Sequence, residues 1–145
     1  MDNNELDIIQ KAFFFSKERH YGQKDDCGKD YFSNHIEIVF LCLCRICPED
    51  KELLVASLLH DTIEDTDTTY EEIKSLFGVG VADLVHEVTH EGQKDQKGFY
   101  FPRLKTQRGI MLKFADRLSN LSRMDSWDKK RKDQYLRKSK FWKSE

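Results

Sequence analysis

The longest apolar run of the chain, Leu53-Leu54-Val55-Ala56-Ser57-Leu58-Leu59, ends directly at His60-Asp61. This run follows Pro48 and carries no charge, which predicts a buried helix over about 49–60. An unpaired carboxylate at the end of a buried helix is unfavourable by several kcal/mol. We therefore expect Asp61 to be paired, neutralised or bound to a cation.

Apolar residues elsewhere also recur at helical spacing, and only two prolines and seven glycines interrupt the chain. In the first segment, Ile9, Ala12, Phe13 and Ser16 follow the i, i+3, i+4, i+7 pattern of one helix face. Helices are predicted over about 4–21, 33–46, 49–60, from Thr68 or Thr69 to 77, 80–90 and 104–124, with loops at 22–28 and 91–101 and a last amphipathic helix that holds Tyr135 and Trp142. Strand alternation and internal repeats are absent from the sequence. The predicted fold class is all-α, a single helical-bundle domain over residues 1–145.

Local signals set the predicted helix ends and faces. Ser33 is the predicted N-cap of the second helix, and Thr68-x-x-Glu71 and Thr69-x-x-Glu72 both match the capping box. The predicted apolar face of the long helix consists of Met111, Ala115, Leu118 and Ser122, with Phe114 and Leu121 beside them. Asp116 and Asn120 are four residues apart and share a polar stripe with Lys113. Taken alone, such a stripe is most simply the solvated side of the helix.

The composition is that of a folded domain and argues against a nucleic-acid-binding protein. At 145 residues, with 39% hydrophobic and 34% charged residues, the chain can form a core without disulfides. The net charge of −2 argues against a nucleic acid as the main partner. Residues 128–145 carry eight Lys or Arg against three acidic residues. A solvated helix face is the first interpretation of this segment, and a phosphate-attracting rim is the alternative.

The sequence also bears on location. No stretch approaches the roughly 18 apolar residues that span a bilayer, and the first residues lack the pattern of a signal peptide. We therefore expect a cytoplasmic protein whose four cysteines are free thiols.

Two other groups of candidate metal ligands have simpler interpretations. Cys44 and Cys47 form one C-x-x-C within an apolar helical stretch that also holds Cys42, and no second pair follows, which favours core packing over zinc or redox chemistry. His86 and His90 have i, i+4 spacing but no third ligand nearby, so surface or packing roles are expected.

A different set of polar residues indicates chemistry. His35 precedes the His60-Asp61 pair, Glu64-Asp65 follows it by one turn, and Asp116 lies on the later long helix. Imidazoles and carboxylates together hold divalent metals, and this mixed set favours Mn, Fe or similar ions over Mg or a structural zinc.

These residues also resemble those of a known family. The arrangement His35 … His60-Asp61 … Asp116 resembles the HD superfamily of metal-dependent phosphohydrolases. His60-Asp61-Thr62-Ile63-Glu64-Asp65-Thr66 is similar to the HDTIEDT signature of the (p)ppGpp hydrolases, which comprise domains of Rel/Spo-type enzymes and small alarmone hydrolases. The segment 113–121 is similar to their K-x-A-D-R-x-x-N-[LM] helix, and His20-Tyr21-Gly22-Gln23 to their H-x-G-Q motif. The resemblance covers about residues 5–125.

The resemblance implies a site and a reaction. The implied metal ligands are His35, His60, Asp61 and Asp116, which would hold one Mn²⁺ per chain. Glu64 and Asp65 match the acidic pair that orients and deprotonates the attacking water, and are the expected catalytic residues. The expected substrate-binding residues are Lys24, Lys113, Arg117 and Asn120. The implied reaction removes the 3′-pyrophosphate of the small-molecule nucleotides guanosine tetra- and pentaphosphate, which leaves GDP or GTP.

The chain departs from the family pattern at a few positions. Ile36 replaces the proline of H-P, Phe32 stands where tyrosine is usual, and the loop before His35 is one or two residues longer. The arginine that stacks on guanine in the family is absent or replaced by Lys24, and lysine lacks the planar guanidinium that stacks. Two alternatives therefore stay open: hydrolysis of a different nucleotide, and a non-catalytic nucleotide-binding regulatory module. His20 is expected to shape the loop at the mouth of the site rather than to contact the substrate.

Overall fold

The chain folds into packed helices. The computed structural model describes residues 3–89, 104–122 and 128–138. Its elements are α1 (Asn3–Arg19), a π-helical turn (Phe32–Ile36) that continues as α2 (Glu37–Ile46), α3 (Lys51–Leu59), α4 (Thr62–Asp65), α5 (Tyr70–Phe77), α6 (Val79–Val88), α7 (Gln107–Leu121) and α8 (Lys129–Lys138). These residues contain no strand, and the one isolated antiparallel bridge joins Lys24 to Asp30. The all-α prediction is confirmed.

The predicted helices match the observed ones except at their ends, which differ by up to three residues. The short helix α4 is not among the predicted helices. The predicted loop 91–101, His90 and Trp142 lie outside the described residues.

Helix α3 is the centre of the core. Its residues 53–59 are all buried, and it packs against α1, α2, α6 and α7. Asp50 is the N-cap of this helix, and its carboxylate accepts a hydrogen bond from the backbone N–H of Leu53 at 3.1 Å. Arg108, at the start of α7, makes a bidentate pair with the same carboxylate at 2.6 and 2.9 Å. The apolar run thus ends inside the protein and delivers His60 and Asp61 to its interior.

The start of the second helix differs from the prediction. Ser33 lies inside the π-helical turn, and its backbone N–H and hydroxyl both donate to Asp30 Oδ2, at 3.0 and 2.9 Å. The assignment of Ser33 as N-cap is therefore wrong. A carboxylate accepts both hydrogen bonds at once, and these bonds lower the pKa of Asp30.

Only one of the two capping-box registers is used. Thr69 Oγ1 accepts a hydrogen bond from the N–H of Glu72 at 3.1 Å, which caps α5. Thr68 is buried instead and accepts a hydrogen bond from Arg19 of α1. The Glu72 carboxylate also pairs with Arg19, at 2.6 Å, so it ties α5 to α1.

Helix α7 presents a different face to the core from the one predicted. Phe114 and Leu118 are each 43% exposed. The buried residues of α7 are Gly109, Leu112, Ala115, Asp116, Arg117 and Ser119. Of the predicted apolar face, Ala115 is buried and Met111 and Leu121 are half-buried, so the prediction is wrong at the exposed Phe114, Leu118 and Ser122. The physical reason is that Asp116 and Ser119 bind a buried histidine, described below, and these polar contacts fix the rotation of the helix.

The remaining predictions concern surface and cysteine residues. Cys42, Cys44 and Cys47 are free thiols packed against the core, as predicted. His86 is exposed, with its ring 5.8 Å from that of Tyr70. In the described part of the chain, no helix combines the length and apolar character needed to cross a membrane.

Candidate metal centre

Four side chains from three parts of the fold meet in the interior. His35 comes from the π-helical turn, His60 and Asp61 follow α3, and Asp116 comes from α7. His35 Nε2 lies 2.9 Å from Asp116 Oδ1 and 3.3 Å from Asp61 Oδ2. His60 Nε2 lies 3.2 Å from Asp61 Oδ2 and 3.4 Å from Asp116 Oδ1. One potential ligand atom of each residue is within 4.8 Å of all the others, so the structure brings the four predicted ligands together.

The chemistry of these donors fits a divalent cation. His60 Nδ1 lies 2.6 Å from the carbonyl oxygen of Ser57, which can only accept, so Nδ1 carries the proton. When this imidazole is neutral, its Nε2 lone pair faces two carboxylate oxygens. On the other side, Ser119 Oγ lies 2.9 Å from His35 Nδ1 and orients that ring. Electron-rich atoms that converge in this way are stabilised by a shared cation, with hydrogen bonds behind the ligands fixing their orientation.

Without a cation, protons stabilise the cluster. Burial alone would lower the pKa of His60, but Asp61 and Asp116 hold it well above the usual histidine value. Burial would likewise raise the pKa of Asp116, yet Lys113 and the two imidazoles hold it well below its usual range. Protons and a metal ion therefore compete for the same nitrogen atoms.

Tyr31 contacts this cluster and was not expected from the sequence. Its hydroxyl donates a 2.6 Å hydrogen bond to Asp61 Oδ2, and burial together with Asp61 raises the pKa of the phenol. The ring centroids of Tyr31 and His35 are 5.1 Å apart. Phe32, at the position where tyrosine is usual, packs in the core instead. The i, i+4 spacing of Tyr31 and His35 is the sequence signal that could have predicted the contact between their rings.

The predicted catalytic pair lies on the turn that follows the ligands. Asp65 ends α4, and its Oδ2 accepts a hydrogen bond from Gln23 Nε2 at 3.1 Å. Glu64 is exposed on the same turn. The Thr62 hydroxyl donates to the carbonyl of Leu59 and the Thr66 hydroxyl to that of Thr62, which secures α4 immediately after Asp61.

The predicted substrate-binding residues occupy different environments. Lys113 Nζ lies 3.4 Å from Asp116 Oδ2, so this ammonium group faces the cluster. Arg117 is buried, and Asn120 is half-buried one turn after Asp116. Lys24 is exposed and is the immediate neighbour of Gln23.

Two imidazoles and two carboxylates from three parts of the fold are enclosed around one point and form a candidate site for a divalent metal ion. The family model described as HD domain matches residues 12–98 of this chain. The protein belongs to the HD domain family.

Named relatives within this family are similar to the chain over most of its length. A guanosine-3′,5′-bis(diphosphate) 3′-pyrophosphohydrolase of Aquifex aeolicus is 42% identical over 121 residues, which cover 78% of this chain but 17% of that protein. The guanosine-3′,5′-bis(diphosphate) 3′-pyrophosphohydrolase MESH1 of Drosophila melanogaster is 31% identical, with 90% of this chain and 78% of MESH1 covered.

A solved structure is also similar, with a TM-score of 0.76 and 29% identity, covering 97% of this chain and 83% of the other. It is described as a metazoan ortholog of SpoT that hydrolyses ppGpp. The chain therefore spans about a fifth or less of the longer bacterial relatives but most of the small hydrolases.

Proposed function

We propose that this protein is a metal-dependent hydrolase that removes the 3′-pyrophosphate of guanosine 3′,5′-bis(diphosphate) and of its pentaphosphate counterpart. The products would be pyrophosphate with GDP or GTP. The observation that carries the proposal is the cluster of His35, His60, Asp61 and Asp116 with the Asp65 carboxylate on the following turn. The activity of the named relatives, MESH1 above all, supports the choice of substrate.

The cluster would hold one Mn²⁺, since mixed imidazole and carboxylate ligands suit this ion. A divalent cation bound there would polarise a phosphoryl oxygen and lower the pKa of an adjacent water molecule. Asp65 would accept the proton of the attacking water, with Glu64 orienting that water from the same turn. Lys113, beside Asp116, would add positive charge for the phosphates.

The sugar, the base and the remaining phosphates of the nucleotide would contact residues beside the candidate metal centre. In this proposal Asn120 binds the sugar-phosphate region, and Arg117 and Lys24 complete the substrate contacts. Lys24 also favours a second candidate function, hydrolysis of a nucleotide with a different base by the same centre. It is exposed and lacks the planar group that stacks on guanine.

A nucleotide panel tests both candidates. Purified protein with Mn²⁺ is incubated with the guanosine 3′,5′-bis(diphosphate) and pentaphosphate, their adenosine counterparts, GTP and ATP, and the products are separated by anion-exchange chromatography. We expect one pyrophosphate for each GDP released from the guanosine compound, and turnover by the Glu64→Gln/Asp65→Asn variant that is lower by about 10²- to 10⁴-fold. Faster turnover of an adenosine compound would favour the second candidate, and release of inorganic phosphate alone would contradict both.

A further inference from the structure

Gln23 links a buried histidine to the carboxylate of Asp65. His20 Nδ1 lies 2.7 Å from Gln23 Oε1, and Gln23 Nε2 donates to Asp65 Oδ2 at 3.1 Å. The three groups come from the loop after α1 and from the end of α4. None of the four candidate metal ligands takes part in these two contacts, so holding a metal ion does not account for them.

The chemistry of the partners fixes the direction of each hydrogen bond. An ionised carboxylate only accepts, so the amide nitrogen of Gln23 faces Asp65 and its oxygen faces His20. His20 Nδ1 must then donate and carry a proton. His20 is 1% exposed, and its ring lies 5.5 Å from that of Tyr31, so the histidine is a fixed anchor for the amide.

The backbone of this loop holds Gln23 in place as well. Gly22 has φ of 82°, in the left-handed region that residues with a side chain rarely adopt. This turn allows the N–H of Gln23 to donate to the carbonyl of His20 at 3.0 Å, while the carbonyl of Gln23 accepts from the N–H of Tyr31 at 2.9 Å. The H-x-G-Q segment therefore presents the amide in one defined orientation.

We propose that Gln23 is a positioning residue, which holds the Asp65 carboxylate in the orientation for accepting a proton from the attacking water, while His20 anchors the Gln23 amide. This inference rests on the proposed role of Asp65 as the base. Asp65 lies at the end of a helix of one turn and is exposed to solvent, so without a partner its side chain would sample several rotamers. A fixed base is effective because misplacement of a reacting group by about 1 Å can cost about 10²-fold in rate.

Charge supports the same role. Desolvation and the nearby Asp61 carboxylate raise the pKa of Asp65, whereas the hydrogen bond from Gln23 lowers it. The amide therefore favours the ionised form, which is the form that accepts a proton. The contact acts on the base and not on the substrate, so its loss would reduce kcat and leave KM nearly unchanged.

A double-mutant cycle between Gln23 and Asp65 tests the proposal. Gln23→Ala, Asp65→Asn and the double variant are assayed with Mn²⁺ on the best substrate of the nucleotide panel, and metal content and Tm are measured for each. We expect Gln23→Ala to lower kcat by about 10- to 100-fold, with KM changed less than about twofold and metal retained. In the Asp65→Asn background the same change should lower kcat by less than about twofold, because residues that act as a unit are not additive.

A matched control lies on the same turn. Tyr21 is 89% exposed, and Tyr21→Ala should leave kcat, KM and Tm unchanged. The Gln23→Glu variant keeps the shape of the side chain but replaces the donor with an acceptor, and it should lose as much kcat as Gln23→Ala.

The outcomes separate this inference from the proposed function. If Gln23→Ala lowers kcat equally in both backgrounds, or changes KM alone, the positioning role is wrong, even where the nucleotide panel identifies (p)ppGpp as the substrate. If the panel identifies another nucleotide, the proposed substrate is wrong and the cycle still tests Gln23 on that nucleotide. A protein that hydrolyses no member of the panel would overturn both.

Discussion

The hydroxyl of Tyr31 donates a 2.6 Å hydrogen bond to Asp61 Oδ2, the carboxylate oxygen that also faces His35 and His60. Hydrogen bonds behind a metal ligand orient it and tune its basicity, and their loss typically weakens metal binding by about 10- to 100-fold. We therefore expect Tyr31 to orient Asp61 as a ligand of the candidate metal centre.

Removal of this hydroxyl should weaken metal binding without unfolding the protein. We expect Tyr31→Phe to raise the Kd for Mn²⁺ by about tenfold, since the ring still packs but Asp61 loses one partner. Isothermal titration calorimetry on the metal-free protein measures this change. Tyr70→Phe is the matched control, because its hydroxyl bonds to Asp83 away from the cluster. Equal affinities for all three proteins would show that Tyr31 does not support the site.

Glu64 and Asp65 should affect catalysis and not metal binding, because the four clustered candidate ligands do not include them. The Glu64→Gln/Asp65→Asn variant keeps shape and hydrogen bonding but lacks the base. Loss of a general base typically lowers the rate by about 10²- to 10⁴-fold. Steady-state kinetics and elemental analysis should show a kcat reduced to this extent, with metal content and KM near those of the unmodified chain. Loss of metal would instead make these residues ligands.

Metal affinity should increase with pH. Burial alone would lower the pKa of His35 and His60, but Asp61 and Asp116 outweigh it and raise both. In the metal-free protein these imidazoles therefore keep their protons to a higher pH than free histidine, whose pKa is about 6.5. Mn²⁺ must displace the protons, so affinity should rise from about pH 6 to about pH 8, with proton release on binding.

Calorimetry in two buffers of different ionisation enthalpy counts the released protons. Affinity that is constant over this range would argue against imidazole ligands.

Lys24 should limit recognition of the base. If guanine lies over this residue, Lys24→Arg should tighten binding of guanine nucleotides, because a planar guanidinium stacks on the ring. The measurement is KM for the guanosine and adenosine compounds of the panel, with Lys29→Arg, in the same loop, as the control. Weaker binding of the guanosine compound to Lys24→Arg would favour a different nucleotide.

The sequence predicted the helices and the cluster better than it predicted how one helix is rotated. The apolar run 53–59 specifies a buried helix because it carries no charge and only one polar side chain, and its end fixes His60 and Asp61 in the core. The rotation of α7 could not be predicted, because its apolar residues occur on more than one side. Contacts of Asp116 and Ser119 with His35, which is 84 residues from Ser119 in sequence, determine which side is buried.

The sequence pattern also could not predict the hydrogen-bond partners of individual polar residues. Asp30 rather than Ser33 stabilises the start of the second helix, since a charged acceptor competes successfully with a hydroxyl. Gln23 reaches Asp65 across 42 residues of sequence, and local spacing carries no information about such a contact.

The central claim is that His35, His60, Asp61 and Asp116 hold one divalent metal ion. The most direct measurement is a crystal structure of the protein with Mn²⁺, with anomalous diffraction recorded on both sides of the manganese absorption edge. The account predicts one manganese peak per chain, in contact with His Nε2 and carboxylate oxygens of these residues, and no peak in an Asp116→Ala crystal. A metal bound instead through Cys44 and Cys47, or a manganese peak that persists at the same place without Asp116, would contradict it.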